Sequence, residues 1–166
     1  MSLQGKKIAI FIADYYEDLE FWYPKIRMKE AGAKVVVIGP KAEEYTGKNG
    51  LKASADLAIH DAKTGAYDAL IIPGGYSPDH MRRHHEMVDF VREMNKSGKV
   101  IAAICHAGWM LASADMLKGK KVTSFFPIKD DLIHAGAEWV DQEAVKDGNL
   151  ITSRNPGDLP AFCKAI

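Results

Sequence analysis

Cysteine is scarce in this chain. Only Cys105 and Cys163 occur in 166 residues, they form no CxxC pair, and a disulfide framework is therefore unsupported. Free thiols fit a reducing compartment. An excess of one charge sign is also missing, since Lys plus Arg and Asp plus Glu both number 22. That balance removes any general pull toward nucleic acid or an anionic membrane surface. Long hydrophobic runs are absent as well. The first, Ile8 to Ile12, is too short for a signal peptide or a span, and no later stretch reaches the roughly 18 apolar residues a spanning helix requires. The cytoplasm is the expected location. No linker, repeat or low-complexity tract interrupts the chain, so residues 1–166 read as a single domain with no membrane or nucleic-acid partner.

A hydrophobic fraction of 47% and a charged fraction of 27% allow a substantial core. Four runs, Ile8–Ile12, Val35–Ile38, Ala69–Ile72 and Val100–Ile104, are continuously apolar, as strands covered on both faces of a parallel sheet are. Helical spacing appears at Leu19, Trp22, Tyr23, Ile26 and Met28 before Gly32, and from Met87 to Met94 before Gly98. Strands alternating with helices predict an α/β fold, a doubly wound, mostly parallel sheet sandwiched by helices. Residues 44–59, with Thr46-Gly47-Lys48-Asn49-Gly50, predict a hairpin excursion at the sheet edge, and Asp147-Gly148-Asn149 predicts a second hairpin. A helical stub is expected over 159–166.

Three segments fall where ligands bind in such folds, beyond the carboxyl ends of the strands. Ile104-Cys105-His106 joins a buried strand to a helix, an elbow at which helix amides favour a thiolate. A buried core cysteine is the competing reading. Pro73-Gly74-Gly75 ends another strand with unhindered amides suited to an oxyanion, or forms a plain turn. Asp14, Glu17, Asp18 and Glu20 leave the first strand. Most are expected to be solvated helix-dipole partners, with room for one exception. His80 and His84 share a helix face, but two arginines beside them and no evident third ligand argue against a metal. Thr46-Gly47-Lys48 lacks the spacing of a phosphate loop.

Together these segments resemble the PfpI family of intracellular cysteine peptidases and aldehyde-processing enzymes, within the class I glutamine amidotransferase-like superfamily of flavodoxin-like folds. The resemblance runs through Tyr16–Glu20, Thr46–Gly50, Tyr67–Gly75, Ala103–His106, Ile128–Asp131, Ala135–Asp141 and Thr152–Pro160. It implies Cys105 as nucleophile, His106 as acid/base partner, and Glu17 as the buried acid bonded to the sulfur. It also implies an oxyanion site at Gly74, Gly75 and His106, and Asp79 reaching His106 from a neighbouring subunit of a dimer or hexamer. A carboxylate beside a thiolate would raise both pKa values, so Glu17 is expected to be neutral.

Two departures stand out: Asp79 replaces the family's usual Glu, and Cys105-His106-Ala107-Gly108-Trp109 replaces Cys-His-Gly-Pro. Core packing is the favoured reading for Trp109. The aromatic group Tyr15, Tyr16, Phe21, Trp22 and Tyr23 is expected at a subunit interface. No cofactor and no metal are implied. The resemblance implies a hydrolase or lyase acting on a small aldehyde or a peptide or protein carbonyl: a peptidase, or a glyoxalase or protein deglycase. The alternative is a redox-sensing or chaperone-like stress protein that uses oxidation of Cys105.

Overall fold

The structure, a computed structural model, describes residues 2–166. Its centre is a seven-stranded sheet. Four strands are the apolar runs: β1 (Lys7–Phe11), β2 (Lys34–Gly39), β6 (Ala69–Ile72) and β7 (Val100–Ile104). The other three are β5 (Leu57–Ala58), β10 (Ala144–Asp147) and β11 (Leu150–Ser153), in the order β10-β11-β7-β6-β1-β2-β5. All neighbours pair in parallel except β10 with β11. That antiparallel pair is the hairpin expected at Asp147-Gly148-Asn149, with Gly148 at φ +61° in its turn.

Helices on both faces explain why the central strands do not alternate in polarity. Along β1 and just beyond, Ala9, Phe11 and Ala13 join one core with Met87, Phe90, Val91 and Met94, while Ile8, Ile10 and Ile12 join the other with Phe21, Met28 and Phe162. The first core is covered by α3 (His85–Lys96) and α4 (Gly108–Ser113), the second by α1 (Asp18–Glu30) and α6 (Leu159–Ala165). A short α2 (Ser77–Met81) follows β6. Beyond α4 come β8 (Lys121–Val122), α5 (Lys129–His134) and β9 (Glu138–Trp139), with β8 and β9 paired to each other. Among the described residues, no helix is long and apolar enough to cross a membrane.

The hairpin excursion expected over residues 44–59 is present. The hairpin β3 (Glu44–Thr46) and β4 (Lys52–Ser54) forms a two-stranded sheet of its own, and β5 alone extends the main sheet beside β2. The hairpin turn is tied instead to the exit of β1, through Tyr15 N–H to Thr46 O at 2.8 Å and Lys48 N–H to Tyr16 O at 2.9 Å. Because β7, β6 and β1 are parallel neighbours, residues 105–106, 73–76 and 13–20 emerge side by side at one edge.

Candidate active site

At the end of β7 the chain turns sharply. Cys105 takes φ +63°, a left-handed conformation that costs a non-glycine residue energy and recurs at functional turns. The turn leaves Cys105 only 7% exposed, on the wall of a cavity of about 180 Å³ shared with Glu17, Glu20, Lys48, Gly75, Tyr76, His106, Phe125, Asn155 and Pro156. The elbow does not by itself make an acidic thiol. Burial pushes the Cys105 thiol up to about 12, a charge on Glu20 adds to the rise, and the amides of Gly75 and His106 and the charge of Lys48 oppose it.

The acid at the sulfur is Glu20, one helical turn beyond the Glu17 that the resemblance implies. The start of α1 decides this. Glu17 is its N-cap and accepts the Glu20 N–H at 3.0 Å, while its other oxygen accepts the Asn49 side-chain amide at 3.3 Å. Its carboxylate is thus spent on the helix end and the hairpin turn. Glu20 is fully buried. One of its oxygens accepts Gly74 N–H at 2.8 Å, the other has no partner in full hydrogen-bond geometry, and the carboxyl group lies within reach of the Cys105 thiol.

Desolvation, more than any neighbour, raises Glu20 from 4.5 to about 8. A Glu20 carboxyl that keeps its proton at pH 7 carries no charge to lift the thiol, which leaves burial as the cause of the rise at Cys105. At neutral pH the pair is therefore a protonated Glu20 beside a thiol raised by burial. The resemblance implies Glu17, expected to be neutral, at the sulfur; the structure puts Glu20 there and Glu17 on the helix cap, a correction of position from 17 to 20.

The paired glycines divide their roles. Gly74 donates its amide to Glu20, so it is not an oxyanion donor, while its carbonyl accepts from Ser77 Oγ at 2.9 Å and Glu17 N–H at 3.2 Å. Gly75, at φ +70°, turns its amide to Cys105. The oxyanion donors geometry leaves available are thus the amides of Gly75 and His106. A side chain at Gly75 would meet backbone of Tyr15 and Glu17 at 2.4 and 2.5 Å, which is why the chain needs glycine there.

Neighbours in sequence, Cys105 and His106 nevertheless touch, with Nδ1 3.4 Å from Sγ. Half-burial and Lys48 lower the imidazole's pKa, which favours its neutral form. Its ring sits among Trp109 at 4.9 Å, Phe125 at 5.2 Å and Tyr76 at 6.1 Å between centroids. Trp109 both packs against the core and faces the site: its Nε1–H donates to Asp131 at 2.8 Å and the Arg82 guanidinium lies 5.0 Å over its ring. Asp79 stands at the rim beside Tyr15, Tyr76, His80 and Trp109, paired with Arg83 and Arg82 of its own chain rather than with His106.

Other sequence expectations divide. Tyr16 and Phe21 are fully buried core residues, not interface residues, whereas Tyr15 and Tyr23 are exposed. Of the four acids after β1, only Asp14 is exposed. Glu17, Asp18 and Glu20 are all buried, which corrects the expectation that most are solvated. In the structure α1 exposes Leu19 by 56% and buries Glu20 completely, so the polarity rule is inverted where an acid is needed inside.

The model of the DJ-1/PfpI family matches residues 6–166. The chain belongs to the DJ-1/PfpI family. It is 42% identical over 158 residues to a protein of Pyrococcus furiosus named deglycase PfpI, covering 95% of each chain. It is 44% identical over 159 residues to the putative cysteine protease YraA of Bacillus subtilis, covering 95% of this chain and 94% of that one. Among solved structures, a two-domain protein of Anabaena variabilis with DJ-1/ThiJ/PfpI-like and ferritin-like domains superposes with a TM-score of 0.96 at 47% identity. The alignment covers 97% of this chain and 47% of that one, so the chain spans about half its length. DJ-1beta of Drosophila melanogaster superposes with a TM-score of 0.90 at 31% identity, covering 98% and 87%. These DJ-1/PfpI relatives share the doubly wound fold, and those named deglycase and cysteine protease make this chain an enzyme of the same general kind.

Proposed function

We propose that the chain converts small 2-oxoaldehydes of the methylglyoxal type to 2-hydroxy acids without a cofactor, and removes the same carbonyl groups from freshly modified proteins. The observation that carries this reading is a thiol in contact with a neutral imidazole and a protonated acid, on the wall of a cavity of about 180 Å³. Such a space is small against the usual ligand pocket and suits a three-carbon aldehyde better than a peptide. The relatives named deglycase support the same choice.

His106 takes the thiol proton and Cys105 Sγ adds to the aldehyde carbon, forming the C–S bond while the carbonyl pair moves to oxygen and is protonated. The amides of Gly75 and His106 receive the developing oxyanion. A proton then leaves the sulfur-bearing carbon and returns at the neighbouring one, while the hydroxyl proton passes from the first oxygen to the second, giving a 2-hydroxy thioester. Water cleaves it, releasing the hydroxy acid and restoring the thiol. Asp79 of a neighbouring subunit orients His106 in an oligomer, as the family resemblance implies.

Turnover of methylglyoxal and of an unstructured peptide is measured for wild type, Cys105→Ala and His106→Ala. Lactate formation lost in both variants supports the proposal. Peptide cleavage that depends on Cys105, without lactate, replaces it with a peptidase. Turnover indifferent to both substitutions removes it.

A further inference from the structure

The turn Thr46-Gly47-Lys48-Asn49-Gly50 is held more tightly than a solvent-facing hairpin turn requires. Gly47 N–H bonds to Leu51 O at 2.7 Å, Gly50 N–H to Gly47 O at 2.9 Å and Lys48 N–H to Tyr16 O at 2.9 Å. Asp18, a buried acid that the proposed chemistry leaves unused, accepts the amides of Asn49 and Leu51 with its two oxygens, both at 2.9 Å. Gly47 is the residue that admits this carboxylate, since a Cβ there would lie 2.5 Å from it. These bonds fix the backbone on either side of Lys48.

Lys48 lines the cavity that holds Cys105 and His106, and among the described residues it forms no ion pair. The other titratable groups on that cavity offer it little competition for a ligand. Glu20 is protonated at pH 7, His106 is held toward its neutral form, and Glu17 is engaged by the Glu20 amide and Asn49. The result is an exposed, unpaired cation on a turn with a braced backbone, at the wall of the cavity that holds the nucleophile.

We propose that Lys48 binds a carboxylate on the ligand held at Cys105, so that the site holds the 2-hydroxy acid product and accepts carbonyl compounds bearing a carboxylate beside the neutral 2-oxoaldehydes. Asp18 is the positioning residue that keeps the lysine there. The proposal rests on Cys105 being the nucleophile of the proposed function.

Alkylation of Cys105 by iodoacetate and by its neutral counterpart iodoacetamide tests it without requiring turnover. In each reaction sulfur displaces iodide, and any change in the thiol's acidity alters both rates together, so their ratio isolates recognition of the carboxylate. The iodoacetate-to-iodoacetamide ratio is expected to fall about tenfold in Lys48→Gln, to recover in Lys48→Arg, and to shrink in wild type as salt approaches 1 M. Asp18→Asn is expected to lower it with the lysine still present. An equal ratio in wild type and Lys48→Gln overturns the proposal. Lactate formation on the same samples separates the two claims: a shifted ratio without lactate defeats the proposed reaction and leaves Lys48 its role. Lactate with an unshifted ratio defeats Lys48 alone.

Discussion

Glu20 and Cys105 meet across Gly74. A Cβ built on that glycine would lie 2.6 Å from both Glu20 Oε2 and Cys105 Cβ, so the missing side chain is the space in which acid and thiol approach. Three strand ends supply the three parts, and a change in any one is felt by the other two.

Gly74→Ala is therefore expected to damage both stability and chemistry. The methyl group would also come 3.0 Å from Ile104 O, backbone that cannot swing aside. Overpacking of this kind costs about 1–3 kcal/mol. Thermal unfolding should show a lowered Tm, and iodoacetamide should label Cys105 at an altered rate in the fraction that stays folded. A wild-type Tm together with wild-type labelling would contradict the geometry.

Glu20 also makes stability depend on pH in a definite direction. Its pKa is raised from 4.5 to about 8 on folding, so between those values the unfolded chain has released a proton that the folded chain still binds. Stability from this group falls as pH rises through that window, by at most ~1.4 kcal/mol per pH unit, and is level below and above it. Glu20→Gln cannot titrate. Between pH 5 and 8 the wild-type Tm should fall more steeply than that of Glu20→Gln, and parallel curves would show that Glu20 ionises normally.

In the proposed function Asp79 acts on His106 from a neighbouring subunit. It is one methylene shorter than the family's usual Glu and is held by Arg82 and Arg83 of its own chain. Restoring the length with Asp79→Glu is expected to raise kcat several-fold in samples that are oligomeric by size exclusion, while Asp79→Asn lowers it with Cys105 alkylation little changed. Equal kcat in all three proteins would remove Asp79 from the site.

The main strands and the elbow were legible in the sequence because each depends on a local pattern: β6 and β7 are continuous apolar runs, and Cys105 follows one directly. What local pattern could not reveal was the choice among similar neighbours. Glu17 and Glu20 are both acids near one helix start, and only the capping of α1 by Glu17 turns Glu20 inward. Gly74 and Gly75 are both glycines after one strand, and only the capture of one amide by Glu20 leaves the other for the sulfur. Lys48 reaches the site through bonds from its turn to Asp18 and Tyr16, far away in sequence, which local pattern showed only as a hairpin turn and a failed phosphate loop and the family resemblance only as a matching segment.

The central claim is that a protonated Glu20, not Glu17, serves the Cys105 sulfur. It is tested most directly by the rate of Cys105 alkylation with iodoacetamide at pH 7 in wild type, Glu20→Gln, Glu20→Ala and Glu17→Gln. Loss of a hydrogen bond to a charged group costs about 1.5–3 kcal/mol, or roughly one to two powers of ten in rate. Glu20→Ala should lose about that much, Glu20→Gln, which keeps a donor, should lose clearly less, and Glu17→Gln should stay near wild type. A wild-type rate in Glu20→Ala, or a loss that follows Glu17 instead, would contradict it.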